Sequence, residues 1–164
     1  MNFDLIIFDC DGVLVDSEVI SCSVYADVLT HNGYSITSEQ VFDRFLGRSA
    51  RQAMIEIEAE LGRSLPKNFD AHLKSEISRT FADSLAPIPH IHDALAAITQ
   101  PVCVASSGSH ERMRTSLGRT SLYDRFAPNI FSSSEVRNGK PAPDLFLFAA
   151  ERMGMAPERC LVIE

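Results

Sequence analysis

At 164 residues, with 45% apolar and 23% charged side chains, the chain has room for one domain, or one domain carrying an insertion, around a sizeable core. A net charge of -7 excludes a phosphate-tracking nucleic-acid binder, which carries a basic face, yet permits a small anionic substrate beside a bound cation. No apolar run approaches the roughly 18 residues that span a bilayer, and the first residues hold Asp4 and no basic cluster of the secretory kind. Neither nucleic acid nor membrane is expected as a partner, and the cytoplasm is the expected compartment.

The first strand is read at Leu5–Phe8, a continuous apolar run suited to a buried parallel sheet. It ends abruptly in Asp9, Cys10, Asp11 and Gly12, with Asp16 and Glu18 close behind. Residues 17–86 contain no strand pattern and read as helices. Ile20, Val24 and Val28 recur every fourth residue, and that helix stops at Gly33. Thr37–Gln40 ("TSEQ") has the form of a capping box. Ala50, Ala53, Met54, Ile57 and Leu61 make a stripe ending at Gly62, and Phe69, Leu73, Ile77 and Phe81 make another. "APIPH" at 86–90 is the return linker, because the residue before each proline disfavours helix.

After Ile91, Leu95 and Ile98, a helical stripe, comes the second strand at Val102–Ala105, followed by the serine-rich turn Ser106–Ser109 and a helix from about His110. Met113 and Leu117 give that helix its apolar face, with Gly118 as its expected stop. A weaker third strand is read over Asn129–Val136 ("NIFSSSEV"). "NGKPAPD" then places Lys140 in a loop stiffened by Pro141 and Pro143, ahead of a helix carrying Leu145, Phe148, Ala149 and Met153 and ended by Gly154. Asp144 is expected at that helix start, orienting Lys140. The fourth strand is read at Leu161–Glu164. Alternating strands and helices specify an α/β core with a parallel sheet. The four cysteines, Cys10, Cys22, Cys103 and Cys160, form no C-x-x-C pair and are expected reduced; the acids beside Cys10 raise its pKa and argue against a nucleophilic thiol.

In such a sheet the ligand crevice lies beyond the carboxyl ends of the strands. There the sequence puts an acid pair after the first strand, hydroxyls after the second, a lysine before a helix, and Glu164 after the fourth. That ordered set, "DCDGVLVDSE", "VASSGS", "GKPAPD" and "CLVIE", resembles the haloacid dehalogenase (HAD) superfamily. It looks closest to the branch of β-phosphoglucomutases and sugar-phosphate phosphatases. The resemblance implies a Rossmannoid core of residues 1–16 and 87–164 with an inserted four-helix cap at 17–86. It also implies that the C-terminal part of the core is missing, since the family's last motif continues past the equivalent of Glu164 with a metal-ligating Asp, a further strand and a helix.

The resemblance further implies that Asp9 is the nucleophile and Asp11 the general acid and base, with Mg²⁺ held by Asp9, Asp11 (through its carbonyl) and Glu164. Ser106, with Ser107 and Gly108 behind it, would bind the phosphoryl oxygens, and Lys140 would offset their charge. Arg48 and Arg51, in the segment Gly47–Gln52, would contact the leaving group or simply be solvated. His110 would cap its helix or approach the phosphate. The activity implied is Mg²⁺-dependent hydrolysis of a small phosphorylated metabolite, foremost a sugar phosphate, through an aspartyl-phosphate. A phosphomutase and a non-catalytic phosphate-binding fragment are the alternatives. Mutases of this branch carry a His where gapless counting here finds Ser21, which favours hydrolysis. A monomer or weak homodimer is expected.

Overall fold

The computed structural model describes residues 3–46 and 48–164. The chain divides into two compact units, residues up to Asp16 with Leu85–Glu164, and Ser17–Ser84.

The first unit is built on four parallel strands, β1 (Leu5–Phe8), β2 (Val102–Ser106), β3 (Ile130–Ser132) and β4 (Cys160–Ile163), in the order β3-β2-β1-β4. All four residues of β1 are buried, as expected of a central strand covered on both faces. Leu5 and Ile7 lie on one face with Cys103 and Ala105, against Leu145, Ala149 and Ala150 of a helix at Asp144–Arg152. Phe8 points to the opposite face and meets Phe126 edge-on at 5.9 Å. Phe126 closes a one-turn helix, Tyr123–Phe126, that the apolar pattern did not disclose. In chain order the helices are α1 (Ser17–His31), α2 (Ser38–Phe45), α3 (Ala50–Leu61), α4 (Phe69–Ser84), α5 (Ile91–Ala97), α6 (His110–Arg119), α7 (Tyr123–Phe126) and α8 (Asp144–Arg152). Among the described residues, no helix is long and apolar enough to cross a membrane.

The second unit consists of α1–α4 around a core that includes Leu29, Val41, Ile57 and Phe69. Thr37 and Gln40 form the reciprocal capping box read from "TSEQ", Thr37 Oγ1 accepting from Gln40 N at 3.2 Å and Gln40 Oε1 from Thr37 N at 2.9 Å. Tyr25 stacks at a tilt between Phe45 and Phe69, at 6.2 and 6.3 Å.

Several boundaries differ from those read in the sequence: β2 extends one residue to Ser106, and β4 runs Cys160–Ile163, one residue earlier than read. The third strand stops at Ser132, because Ser132 caps a 3-10 turn at Ser133–Glu135 instead of extending. Helix α6 runs through Gly118 to Arg119. Its end is set by Ser121, at φ 58°, with Leu122 N bonded to Leu117 O at 2.8 Å and Ser121 N to Gly118 O at 3.2 Å. Those two bonds make a Schellman end with a serine in the position glycine usually holds.

Leu145 is fully buried where α8 meets β1 and β2. Leu145→Ala is expected to lower unfolding stability by about 2–5 kcal/mol in urea titrations followed by circular dichroism. Val162→Ser, at a position 38% exposed, should change it by less than about 0.5 kcal/mol.

Candidate active site

Because every strand runs the same way, the carboxyl ends of β1, β2, β3 and β4 share one edge of the sheet. They deliver Asp9, Ser106, Ser132 and Glu164 to that edge directly from regular backbone. Asp9 continues the sheet through its own amide, which donates to Ile163 O at 2.9 Å. The chain then turns at once: Leu14 N and Val15 N donate to Cys10 O at 3.0 and 3.1 Å, and Gly12 N to Val15 O at 2.9 Å. Gly12 sits at φ 75°, a conformation that costs a side-chain-bearing residue and that glycine adopts freely.

Lys140 reaches this edge from the loop after β3, ahead of α8, across a cis Lys140–Pro141 bond. Its ammonium lies 2.8 Å from Asp9 Oδ2 and 3.0 Å from Glu164 Oε1, with its side chain only 11% exposed. Phe146 lies beneath it, its ring centre 4.7 Å from Nζ. Neither carboxylate contact has hydrogen-bond geometry, so Nζ is buried and charge-compensated, but among the described residues its N–H groups meet no aligned acceptor. Asp144, expected to orient Lys140, instead accepts from Asn138 Nδ2 at 2.9 Å and so braces the loop two residues upstream.

Asp9 Oδ1 accepts from Cys10 N at 2.6 Å. Asp11 faces elsewhere: its Oδ1 is paired with Arg112 of α6 at 3.0 Å. Arg112 was not singled out in the sequence, since a partner 101 positions away leaves no local pattern. Ser106 is buried, and its Oγ accepts from Gly108 N at 3.2 Å, which leaves the hydroxyl proton available to an acceptor in the crevice. Ser109 caps α6 by accepting from Arg112 N at 3.2 Å. A methyl group at Gly108 would meet Ser106 Oγ and Arg112 Cδ at 3.6 Å, ordinary contact, so glycine is not sterically required there. His110 does not cap α6; its Nε2 lies 2.9 Å from Glu135 Oε2.

Arg48 and Arg51 belong to the second unit. Arg48 is ion-paired with Glu56 and donates to Arg44 O at 3.0 Å, and Arg51 is exposed in the first turn of α3. Gly47, which opens their segment, lies outside the described residues. The proposed metal residues divide in two: Asp9 and Glu164 converge on Lys140, whereas the Asp11 carboxylate turns to Arg112. Among the described residues no three His, Cys, Asp or Glu side chains gather as a metal cluster.

The model of the haloacid dehalogenase-like hydrolases matches residues 6–164. The chain belongs to that family. Within this HAD family it is 33% identical to 6-phosphogluconate phosphatase of Escherichia coli over 99% of this chain and 74% of that protein. Its fold superposes on a conserved haloacid dehalogenase-like protein from Agrobacterium tumefaciens with a TM-score of 0.92 and 35% identity, covering 98% of this chain and 73% of that one. A HAD family hydrolase from Deinococcus radiodurans, solved with bound phosphate and sodium, matches with a TM-score of 0.83 and 29% identity, covering 98% and 71%.

The thiol of Cys10 is pushed up to about 12, by burial first and by the Asp11 and Asp9 charges second; burial does the same to Cys103. Both should resist alkylation at pH 8 in the folded protein and react once it is unfolded, whereas Cys160, less buried, should label first. Peptide mapping after iodoacetamide treatment checks the order.

Proposed function

We propose that this HAD hydrolase is a Mg²⁺-dependent phosphatase of small phosphorylated carbohydrates that works through an aspartyl-phosphate on Asp9. It is a phosphoric monoester hydrolase, and the observation that carries the finer reading is the Lys140 ammonium. A buried ammonium with no aligned acceptor costs about 1–3 kcal/mol or more, and phosphoryl oxygens arriving against Asp9 would relieve that cost. The fit to Mg²⁺ rests on donor chemistry: the Asp9 and Glu164 carboxylates and the Asp11 carbonyl are hard oxygens, and Mg²⁺ binds through one or two carboxylates while keeping several waters. When bound, the ion would neutralise charge between the phosphoryl group and Asp9.

The chain's own groups divide the work. Asp9 Oδ attacks phosphorus, the phosphorus–oxygen bond to the alcohol breaks, and the phosphoryl group is carried on Asp9. Asp11 leaves Arg112 for the substrate and takes up a proton from solvent, gives that proton to the departing oxygen, and then takes one from the water that cleaves the acyl phosphate. Ser106 donates its hydroxyl to a phosphoryl oxygen, with the Ser107 and Gly108 backbone completing the cradle. Lys140 stabilises charge on the transferring group. The four helices of the second unit act as the cap that selects the leaving group, Arg48 and Arg51 included. The 6-phosphogluconate phosphatase relative supports a phosphorylated carbohydrate as substrate. Hydrolysis is favoured over isomerisation because Ser21, in α1, offers a hydroxyl that does not shuttle protons near neutral pH.

Phosphate release from a panel of sugar phosphates and phosphosugar acids should require Mg²⁺ and vanish with EDTA. Asp9→Asn should cut turnover by about a thousandfold or more. Lys140→Met should cut it by about a hundredfold or more while also raising KM. Undiminished turnover in Asp9→Asn would overturn the covalent route.

A further inference from the structure

The run Ser132–Ser134 takes no part in the chemistry above, yet it holds the serine turn after β2 from below. β2 and β3 end in register, with Ser106 opposite Ser132. Ser132 Oγ, 1% exposed, donates to Gly108 O at 2.7 Å, and Ser133 Oγ donates to Ser107 O at 3.0 Å. The scaffold is itself fixed: Ser134 N and Ser134 Oγ meet Ser132 Oγ at 3.2 and 2.9 Å, and Glu135 Oε2 accepts from Ser132 N at 2.7 Å while contacting His110. A Cβ built at Gly139 would stand 3.5 Å from Ser133 Cβ, so Ser133 also borders the loop that delivers Lys140.

The carbonyl and amide of a planar trans peptide point in opposite directions. Fixing the carbonyls of Ser107 and Gly108 toward the 3-10 turn therefore aims the amides of Gly108 and Ser109 away from it. The Gly108 amide accordingly meets Ser106 Oγ. The helix does not need these bonds for its cap, which Ser109 supplies. We infer that Ser132 and Ser133 are positioning residues: two hydroxyls, one at the end of β3 and one in the 3-10 turn after it, set the peptide planes of the loop that receives the phosphoryl group. This rests on the reading of Ser106–Gly108 as the phosphate cradle.

The test compares the full chain with Ser132→Ala, Ser133→Ala and Ser133→Thr, measuring turnover of p-nitrophenyl phosphate and its competitive inhibition by inorganic phosphate. Each alanine variant should weaken inhibition by phosphate on the order of tenfold and lower kcat/KM at least as much, the loss of roughly one well-aimed hydrogen bond. Ser133→Thr, which keeps the hydroxyl, should restore both values, and a merely structural role would not give that rescue. Ser132 is buried and its variant could lose stability, so Ser133→Ala, with an unchanged melting midpoint, decides the matter. Wild-type inhibition and turnover in Ser133→Ala would overturn the inference while leaving the phosphatase reading intact. Loss in Ser133→Ala that threonine does not rescue also counts against it. A wild-type chain that neither turns over the ester nor binds phosphate overturns the phosphatase reading, and the inference with it.

Discussion

One ammonium group organises the carboxyl edge of the sheet in this protein. Lys140 Nζ stands between two carboxylates that arrive from different strands, Asp9 from β1 and Glu164 from β4. Lys140 thereby ties together the ends of two neighbouring strands, β1 and β4, at the tip of the sheet. The arrangement is compensated in charge and unsatisfied in hydrogen bonding, because among the described residues the ammonium has no acceptor in line. Buried polar groups left in that state are uncommon in folded proteins, and they gather where a ligand completes them.

The rest of the fold serves to bring these groups to one place. A parallel sheet delivers every strand end to the same edge, so residues far apart in the chain meet without long loops to position them. The second acid is handled separately: Asp11 is held off the Lys140 pair by Arg112, two residues into α6 beyond the serine turn. Two carboxylates two positions apart thus begin with different partners, consistent with the different tasks proposed for them. The serine turn is in turn braced by Ser132 at the end of β3 and by Ser133 just after it.

What the sequence disclosed was what local chemistry determines. The β1 run, the Thr37–Gln40 box, and the stops at Gly33, Gly62 and Gly154 each depend on a few neighbouring residues, and each stands where the pattern put it. The acid pair, the serine turn and Lys140 were legible because they follow strands or precede helices in a fixed order. Features that depend on distant partners were not. Arg112 finds Asp11 across the fold, and Phe146 slides under Lys140. The serines of "FSSSE" looked like strand, since nothing local says that Ser132 will cap a turn and reach Gly108. Gly118 looked like a stop, but Ser121 accepted the left-handed conformation instead. Asp144 stands at its helix start as read, while its bond to Asn138 in the Lys140 loop had no local signature.

The central claim is that Asp9 carries the phosphoryl group. Quenching the protein during turnover of a sugar phosphate with borohydride reduces an acyl phosphate to an alcohol, and peptide mass spectrometry locates the changed residue. The account predicts homoserine in place of Asp9, absent when substrate is withheld. Continued phosphate release with Asp9 unmodified, or modification at another carboxylate, would contradict it.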